Sequence, residues 1–238
     1  MKSRPNYKTA DGVRVPSVTT ILGNLNKGDG LLVWANRLGL EGKTLEDGRR
    51  TAMDAGSLAH ALIEADSTGE LVATQDIQAE ILTPALRALQ TFREWKEMVG
   101  YRVLASEVAL VSEKHRYGGM LDAIAFVERP KPAFLISDWK TGAIYLEHYA
   151  QVAAYGALVR EAWDSNREAF GPTVLASLQA AGFAGVLDGA LLIRLGKEDG
   201  SFDHHYRPAD SQTLVQAWKL FLLLRQVHDT NQALKKVA

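Results

Sequence analysis

Cysteine is absent from the 238 residues. Its absence excludes disulfides, thiol nucleophiles, zinc–thiolate sites and iron–sulfur clusters, so any metal must be held by oxygen and imidazole. It also fits a reducing compartment, and a cytoplasmic location is expected. Long apolar runs are missing as well. No stretch approaches the roughly 18 residues of a membrane span, and no charged-then-apolar leader opens the chain, so no membrane partner is expected. Neither sign of charge dominates: 27 Lys and Arg face 28 Asp and Glu, a net charge of −1. With no global basic field, a nucleic-acid partner has to be held by local patches. Repeats, low-complexity tracts and flexible linkers are also lacking, which favours a single domain over residues 1–238.

What is present is a globular balance, 47% hydrophobic and 23% charged, sufficient to bury a substantial core. Ser17, after Pro16, is placed to cap a short helix through Leu22. Residues 23–30 read as a loop, and Leu31 to Leu38 as a helix carrying Trp34. Helical spacing continues from Leu45 to Asp66, with Met53, Leu58, Leu62 and Ile63 on the apolar side, and Gly69 ends it. Ile77 to Val99 is the clearest helix, although Pro84 demands either a kink or a fresh start capped by Thr83. After Gly100 the period changes to that of strands: Tyr101 to Val111, Tyr117 to Val127 and Phe134 to Trp139. A helix over Glu147 to Trp163 and a weaker one over Thr173 to Ala181 follow. Val186 to Leu195 pairs with Phe202 to Tyr206 across a turn at 197–200, and a helix from Leu214 to Val227 closes the pattern. Residues 1–100 are thus mainly helical, before a mixed core over 101–228. Too few strands alternate singly with helices for a doubly wound sheet, and an α/β sandwich is expected.

Asp138-Trp139-Lys140 is the first unusual motif. Positions two apart on a strand face the same side, so Asp138 and Lys140 share a face at the end of the apolar run Phe134-Leu135-Ile136. In isolation such a pair is ordinarily a surface salt bridge. Asp122 changes that weighting, because it interrupts the apolar strand Met120 to Phe126, and a buried carboxylate needs a cation. If the two strands pair, Asp122 lies beside Asp138. The two carboxylates then repel unless a cation lies between them, and a hard divalent ion such as Mg²⁺ satisfies both. An arginine or lysine neutralising Asp122 is the alternative. Three further features are weaker alone: His60 on an apolar helix four residues after Gly56, Glu107 within an apolar strand, and Gln151 one helical turn before Tyr155.

In combination their order and spacing resemble the PD-(D/E)XK nuclease superfamily, in particular its RecB-like exonuclease branch. That branch carries G-x-x-x-H on a helix, then an acidic strand, G-x-x-D, D-x-K and Q-x-x-x-Y. The chain matches in order with Gly56 and His60, Glu107, Gly119 and Asp122, Asp138 and Lys140, and Gln151 and Tyr155. Mitochondrial genome maintenance exonucleases with their phage and bacterial relatives are similar also in the opening Pro16 to Leu22 and in the late strand Leu191 to Leu195. The likeness covers about Pro16 to Leu224. No proline precedes the first aspartate, which is ordinary for this branch, and the four cysteines of its iron–sulfur-bearing relatives are missing.

The resemblance implies a restriction-endonuclease-like fold: a central mixed sheet flanked by helices, with a helical N-terminal region. It implies a Mg²⁺- or Mn²⁺-dependent DNA exonuclease acting on single strands or free ends, in recombination, repair or replication. An endonuclease, a CRISPR-adaptation-type processing nuclease and a catalytically retired DNA-binding subunit remain alternatives. His60, Asp122, Asp138 and the Trp139 carbonyl are implied as metal ligands, with Glu107 completing the site. Lys140 is implied to act on the attacking water and the phosphate charge, and Gln151 and Tyr155 to position DNA. Ser17 and Thr19, at a helix start, offer hydroxyl and N–H groups to a phosphate. Trp34 with Lys27, Arg37, Lys43, Arg49 and Arg50 is a candidate strand contact, or equally a solvated helical face.

Overall fold

A computed structural model describes residues 6–25, 30–69, 71–140, 143–195 and 202–237. Ser17 caps α1 (Val18–Leu22), its side chain accepting the Thr20 N–H. Next come α2 (Gly30–Leu40) and α3 (Leu45–Thr68). A reciprocal capping box between Thr44 and Asp47 starts α3, and Gly69, in the left-handed region at φ 76°, stops it. In α4 (Ala79–Val99) Pro84 starts no new helix. The helix runs through it, with Gln78 as its N-cap: the proline, in the second turn, forgoes one backbone bond, and the stripe of Ala85, Ala88, Leu89, Phe92 and Trp95 buried beyond it offsets that loss.

Five strands follow: β1 (Arg102–Ser112), β2 (Tyr117–Val127), β3 (Ala133–Lys140), β4 (Gly189–Leu195) and β5 (Phe202–Pro208). They form one sheet in the order β1-β2-β3-β4-β5, antiparallel except for the parallel β3–β4 pair. The parallel step requires a crossover. It is made by α5 (Leu146–Ser165), a 3₁₀ turn over Arg167–Phe170 that the periodicity did not announce, and α6 (Pro172–Ala180). Val186 stays outside the sheet and exposed, since β4 begins only at Gly189. The turn expected at 197–200 lies outside the described residues. The last helix, α7 (Gln212–Val237), extends ten residues past the expected end. Its last buried residue is Leu224, so the apolar pattern stops before the helix does.

Helices cover both faces of the sheet. On one face Val18, Ile21, Val152, Leu158, Leu178 and Phe221 pack against Leu121, Ile136 and Leu192. On the other, Ile63 of α3 and Leu89, Phe92 and Trp95 of α4 pack against Tyr101, Leu135, Trp139 and Ile193. The fold is α/β: a five-stranded mixed sheet flanked by helices, preceded by a helical N-terminal region. Among the described residues, no helix is long and apolar enough to cross a membrane.

Candidate active site at the splayed end of strand β3

The β2–β3 ladder ends at Ala123↔Ser137. Beyond it β2 stays with β1, Leu121 pairing with Val108, while β3 continues along β4. Trp139 therefore has no β2 backbone partner, and two side chains take that place. Its N–H donates to Asp122 Oδ2 at 3.1 Å, and its carbonyl accepts from His60 Nε2 at 2.6 Å. A buried peptide group left unpaired is costly, so these side chains are fixed by the gap they fill. The same gap sets Asp122 beside Asp138, as the sequence led one to expect, and Asp122 acts on the Asp138 carboxyl.

Asp138 is 0% exposed, which removes the surface salt-bridge reading of the D-x-K pair. Its Oδ1 accepts from Gln151 Nε2 at 3.1 Å. Among the described residues, Oδ2 has no well-aligned hydrogen-bond donor and meets the Lys140 ammonium, 2.5 Å away. Burial pushes the Asp138 carboxyl up to about 6 against the pull of Lys140, and repulsion from Asp122 adds to the rise. For Lys140, burial opposes the charge, but Asp138 and then Asp122 outweigh it and hold the ammonium above its ordinary range. The stem of Lys140 is enclosed while 19% of its side chain still reaches solvent. Lys140 can therefore change partner without leaving the site.

Helix α5 supports this pair from above. Gln151 divides its amide hydrogens between Asp138 and the Tyr155 hydroxyl, both at 3.1 Å. Tyr155 is buried and its hydroxyl is driven well above the ordinary range, first by burial and then by Asp122 and Asp138. Gly119 makes room for that ring: a β-carbon there would stand 2.6 Å from Tyr155 Cε1. Gly118 does the same for Tyr7, whose ring atoms would come within 2.3 Å. The glycine pair in the sequence was the signal of a close approach, but nothing local marked Tyr7 as the group approaching.

Glu107 is half-buried, and the β1–β2 register sets it across from Asp122 between the pairs Ser106↔Ala123 and Val108↔Leu121. Its φ of 49° puts a glutamate in the left-handed region, which costs on the order of 1 kcal/mol. His60, Glu107, Asp122, Asp138, Lys140, Gln151 and Tyr155 thus gather around the end of β3. Ser17 does not. It bridges Gly118, four residues along β2 from Asp122 or about 13 Å at strand spacing. Its hydroxyl is engaged with Thr20 N–H and with the Thr19 and Thr20 hydroxyls. Because α1 is only five residues long, it offers a weak dipole, and the phosphate role expected of Ser17 and Thr19 has no support here. Lys27 and the side chains of Trp34, Arg49 and Arg50 lie outside what is described, whereas Arg37 and Lys43 are exposed and paired with Glu41.

The donor chemistry fits a hard divalent cation, with two carboxylates, an imidazole and a main-chain carbonyl at one strand end. Among the described residues, no three His, Asp or Glu side chains are grouped as a metal site as they stand. Two contacts instead engage the donors. A carbonyl only accepts, so His60 Nε2 carries a proton in its bond to Trp139, and ligation through Nε2 needs the other tautomer. Lys140 meanwhile already neutralises Asp138 Oδ2. A cavity of about 610 Å³ lies elsewhere, lined by Ile136, Gly156, Leu187, Leu214 and Trp218, and contains none of the site residues.

No protein-family model matches the chain, and no curated protein matches it. A solved structure described as the crystal structure of SSO0001 is similar over 73% of this chain and 74% of its own, with 13% sequence identity and a TM-score of 0.29.

Proposed function

We propose that the chain is a Mg²⁺- or Mn²⁺-dependent DNA exonuclease of the RecB-like PD-(D/E)XK kind, acting on single strands or free ends in the cytoplasm. One observation supports this most: the fully buried Asp138 is bracketed by Lys140, Gln151 and Asp122, the residue types the resemblance names, at a strand end left open on its β2 side. His60, Asp122, Asp138 and the Trp139 carbonyl would hold the cation, with Glu107 beside them. When bound, the cation supplies charge for the scissile phosphate and a lowered pKa for water.

The chain's own residues do the remainder. Asp138 is kept from solvent, so its charge acts at low dielectric strength on whatever replaces Lys140 at Oδ2. Released from that contact, the Lys140 ammonium orients the attacking water and offsets the charge gained by the phosphate in an in-line displacement. Gln151 fixes Asp138 through Oδ1, which leaves Oδ2 directed at the open end, and Tyr155 fixes Gln151. The Lys140–Asp138 contact and the protonated His60 Nε2 favour one second reading, a DNA-binding subunit on a retired nuclease site. Purified protein with Mg²⁺, Mn²⁺ or chelator on end-labelled single-stranded, duplex and circular DNA, with RNA alongside, tests both. Cation-dependent loss of nucleotides from ends supports the proposal, cutting of circles makes the protein an endonuclease, and binding without cleavage at any cation concentration leaves the DNA-binding subunit.

A further inference from the structure

Helix α7 outruns the domain it packs on. Its buried stripe of Leu214, Ala217, Phe221 and Leu224 is spent at Leu224, yet the helix continues from Arg225 to Val237, about 20 Å at the helical rise. We propose that this overhang pairs in parallel with α7 of a second copy of the chain, forming a short two-stranded coiled coil. The inference goes beyond the nuclease reading and stands without it.

A helical segment of that length with no packed face is marginal in water, so what its exposed side carries matters. That side is not uniformly polar. Leu223, Val227, Leu234 and Val237 are 59%, 44%, 58% and 83% exposed. With Thr230 among them they stand at steps of four, three, four and three residues, the heptad spacing that keeps one seam turned towards a partner helix. The seam is distinct from the face that α7 lays on its own domain. That face continues past Leu224 through His228 and Asn231, and both meet Asn24. The Asn24 amide nitrogen is 3.5 Å from His228 Nδ1, and its side-chain oxygen accepts from Asn231 at 3.2 Å. At 3.6 residues per turn, Val227 and Leu234 lie roughly a quarter turn away from it.

The seam already has the shape of a coiled-coil surface. Leu223, Gln226, Val227 and Thr230, at i, i+3, i+4 and i+7, line a hollow of about 330 Å³ together with Asn231. Four residues at that spacing make the hole into which a facing helix inserts one knob. In a parallel pair set in register, the knob is Val227 of the second copy. A β-branched residue at that heptad position, with a leucine at the position of Leu223, favours two strands. The flanks suit an identical helix as well. Gln226, Asn231 and Ala233 border the seam without charge, so two copies meet without repulsion, while Lys235 and Lys236 fall on its outer side. Across a parallel seam Gln226 of one copy stands beside Asn231 of the other, two amides that can hydrogen-bond.

The seam is under three heptads long, so the dimer is expected to be weak, with a Kd on the order of 10 µM. Sedimentation of the full chain from about 1 to about 300 µM should show monomer converting to dimer. Val227→Lys and Leu234→Lys should each weaken the dimer about tenfold or more. Circular dichroism and the melting temperature at the lowest concentration should stay at wild-type values, because both side chains are exposed in the monomer. Gln232→Lys, on the outer side of the helix, should leave the dimer unchanged. Thr230→Cys adds a single thiol to a chain without cysteine. Facing positions of a parallel seam bring two such thiols within disulfide reach, so mild oxidation should give a cross-linked dimer on a non-reducing gel, and Gln232→Cys should not. A wild-type mass that stays monomeric throughout overturns the proposal and leaves the seam to a helix of another protein. A dimer that survives both lysine variants overturns it too, since the copies then meet elsewhere. Equal cross-linking by the two cysteine variants overturns the parallel register.

Discussion

On one face of β3 lie Leu135, Ser137 and Trp139, and on the other Ile136, Asp138 and Lys140. The two sets alternate along eight residues yet bury opposite kinds of chemistry. Towards α4, Trp139 meets Phe92 edge-on with ring centroids 6.1 Å apart, and Phe92 meets Tyr101 at 5.8 Å. That face is mainly aromatic and aliphatic core, held by area and by ring geometry, although Ser137 Oγ and Trp139 Nε1 are buried in it without a hydrogen-bond partner among the described residues. Towards α5, Asp138 is equally buried but is held by an ammonium and an amide. Aromatic packing on one face thus backs the strand that carries the buried charge on the other. The aromatic face therefore contributes stability, and the polar face carries the site at some cost to it.

The largest test of that division is removal of an acid. Asp122→Ala or Asp138→Ala should abolish cleavage in the end-labelled DNA assay and lower the melting temperature by a few degrees, since the first leaves the Trp139 N–H unpaired and the second leaves the Lys140 ammonium without its partner. Wild-type cleavage by either variant would leave the polar face without a catalytic role. Next is Lys140→Ala, for which turnover should fall by about a thousandfold or more with DNA affinity changed far less. Lys140→Arg should fail as well, because a planar fork does not replace a compact ammonium 2.5 Å from Oδ2. Full rescue by arginine, or by excess DNA in the alanine variant, would make Lys140 a binding residue.

Phe92→Ala probes the other face. It should cost about 3 to 4 kcal/mol in urea unfolding, as a buried aromatic truncation does, while the folded fraction keeps its cleavage activity. Loss of activity without loss of stability would erase the distinction between the faces. Gly119→Ala should be milder, at about 1 to 3 kcal/mol, because the new methyl meets the Tyr155 ring. Since Tyr155 bonds Gln151 and Gln151 bonds Asp138, this variant should also lower turnover.

The smallest effect is a pH dependence. Folding raises the Asp138 carboxyl to about 6, chiefly by burial. The folded state therefore binds this proton more tightly than the unfolded state. Its contribution to stability is full below about pH 4 and is lost as the pH rises to about 6. Asp138→Asn stays neutral throughout and should melt a few degrees above wild type at pH 7.5 and level with it at pH 4. An equal offset at both values would show that Asp138 remains ionised across the range.

Helix and strand identity was legible in the sequence because periodicity is a local property. β2 begins and ends where the alternation of Tyr117 to Val127 does, and α5 buries the expected Val152, Tyr155, Leu158 and Val159. Asp122 beside Asp138 was legible because consecutive strands with short connections pair, and Lys140 because it alternates with Asp138, whereas Gln151 and Tyr155 joined the expected site only through the resemblance. Helix ends were less legible where no cap residue marks them: nothing local stopped α7 at Val227, and stacked turns carried it to Val237.

Only the tertiary structure decided how these residues meet. Whether Asp122 faces a cation or a backbone N–H depends on where β2 parts from β3, and no residue near Asp122 encodes that rung. His60 reaches the Trp139 carbonyl across 79 positions of sequence. The row from Lys140 through Arg194 to Asp203 exists because a crossover sets β4 parallel to β3 and a hairpin adds β5. The sequence alone determined which residues are apolar, charged or turn-forming, because those are properties of each side chain and its near neighbours. Register between strands distant in sequence depends on how two packed faces fit at once, and that fit gave β3 its site.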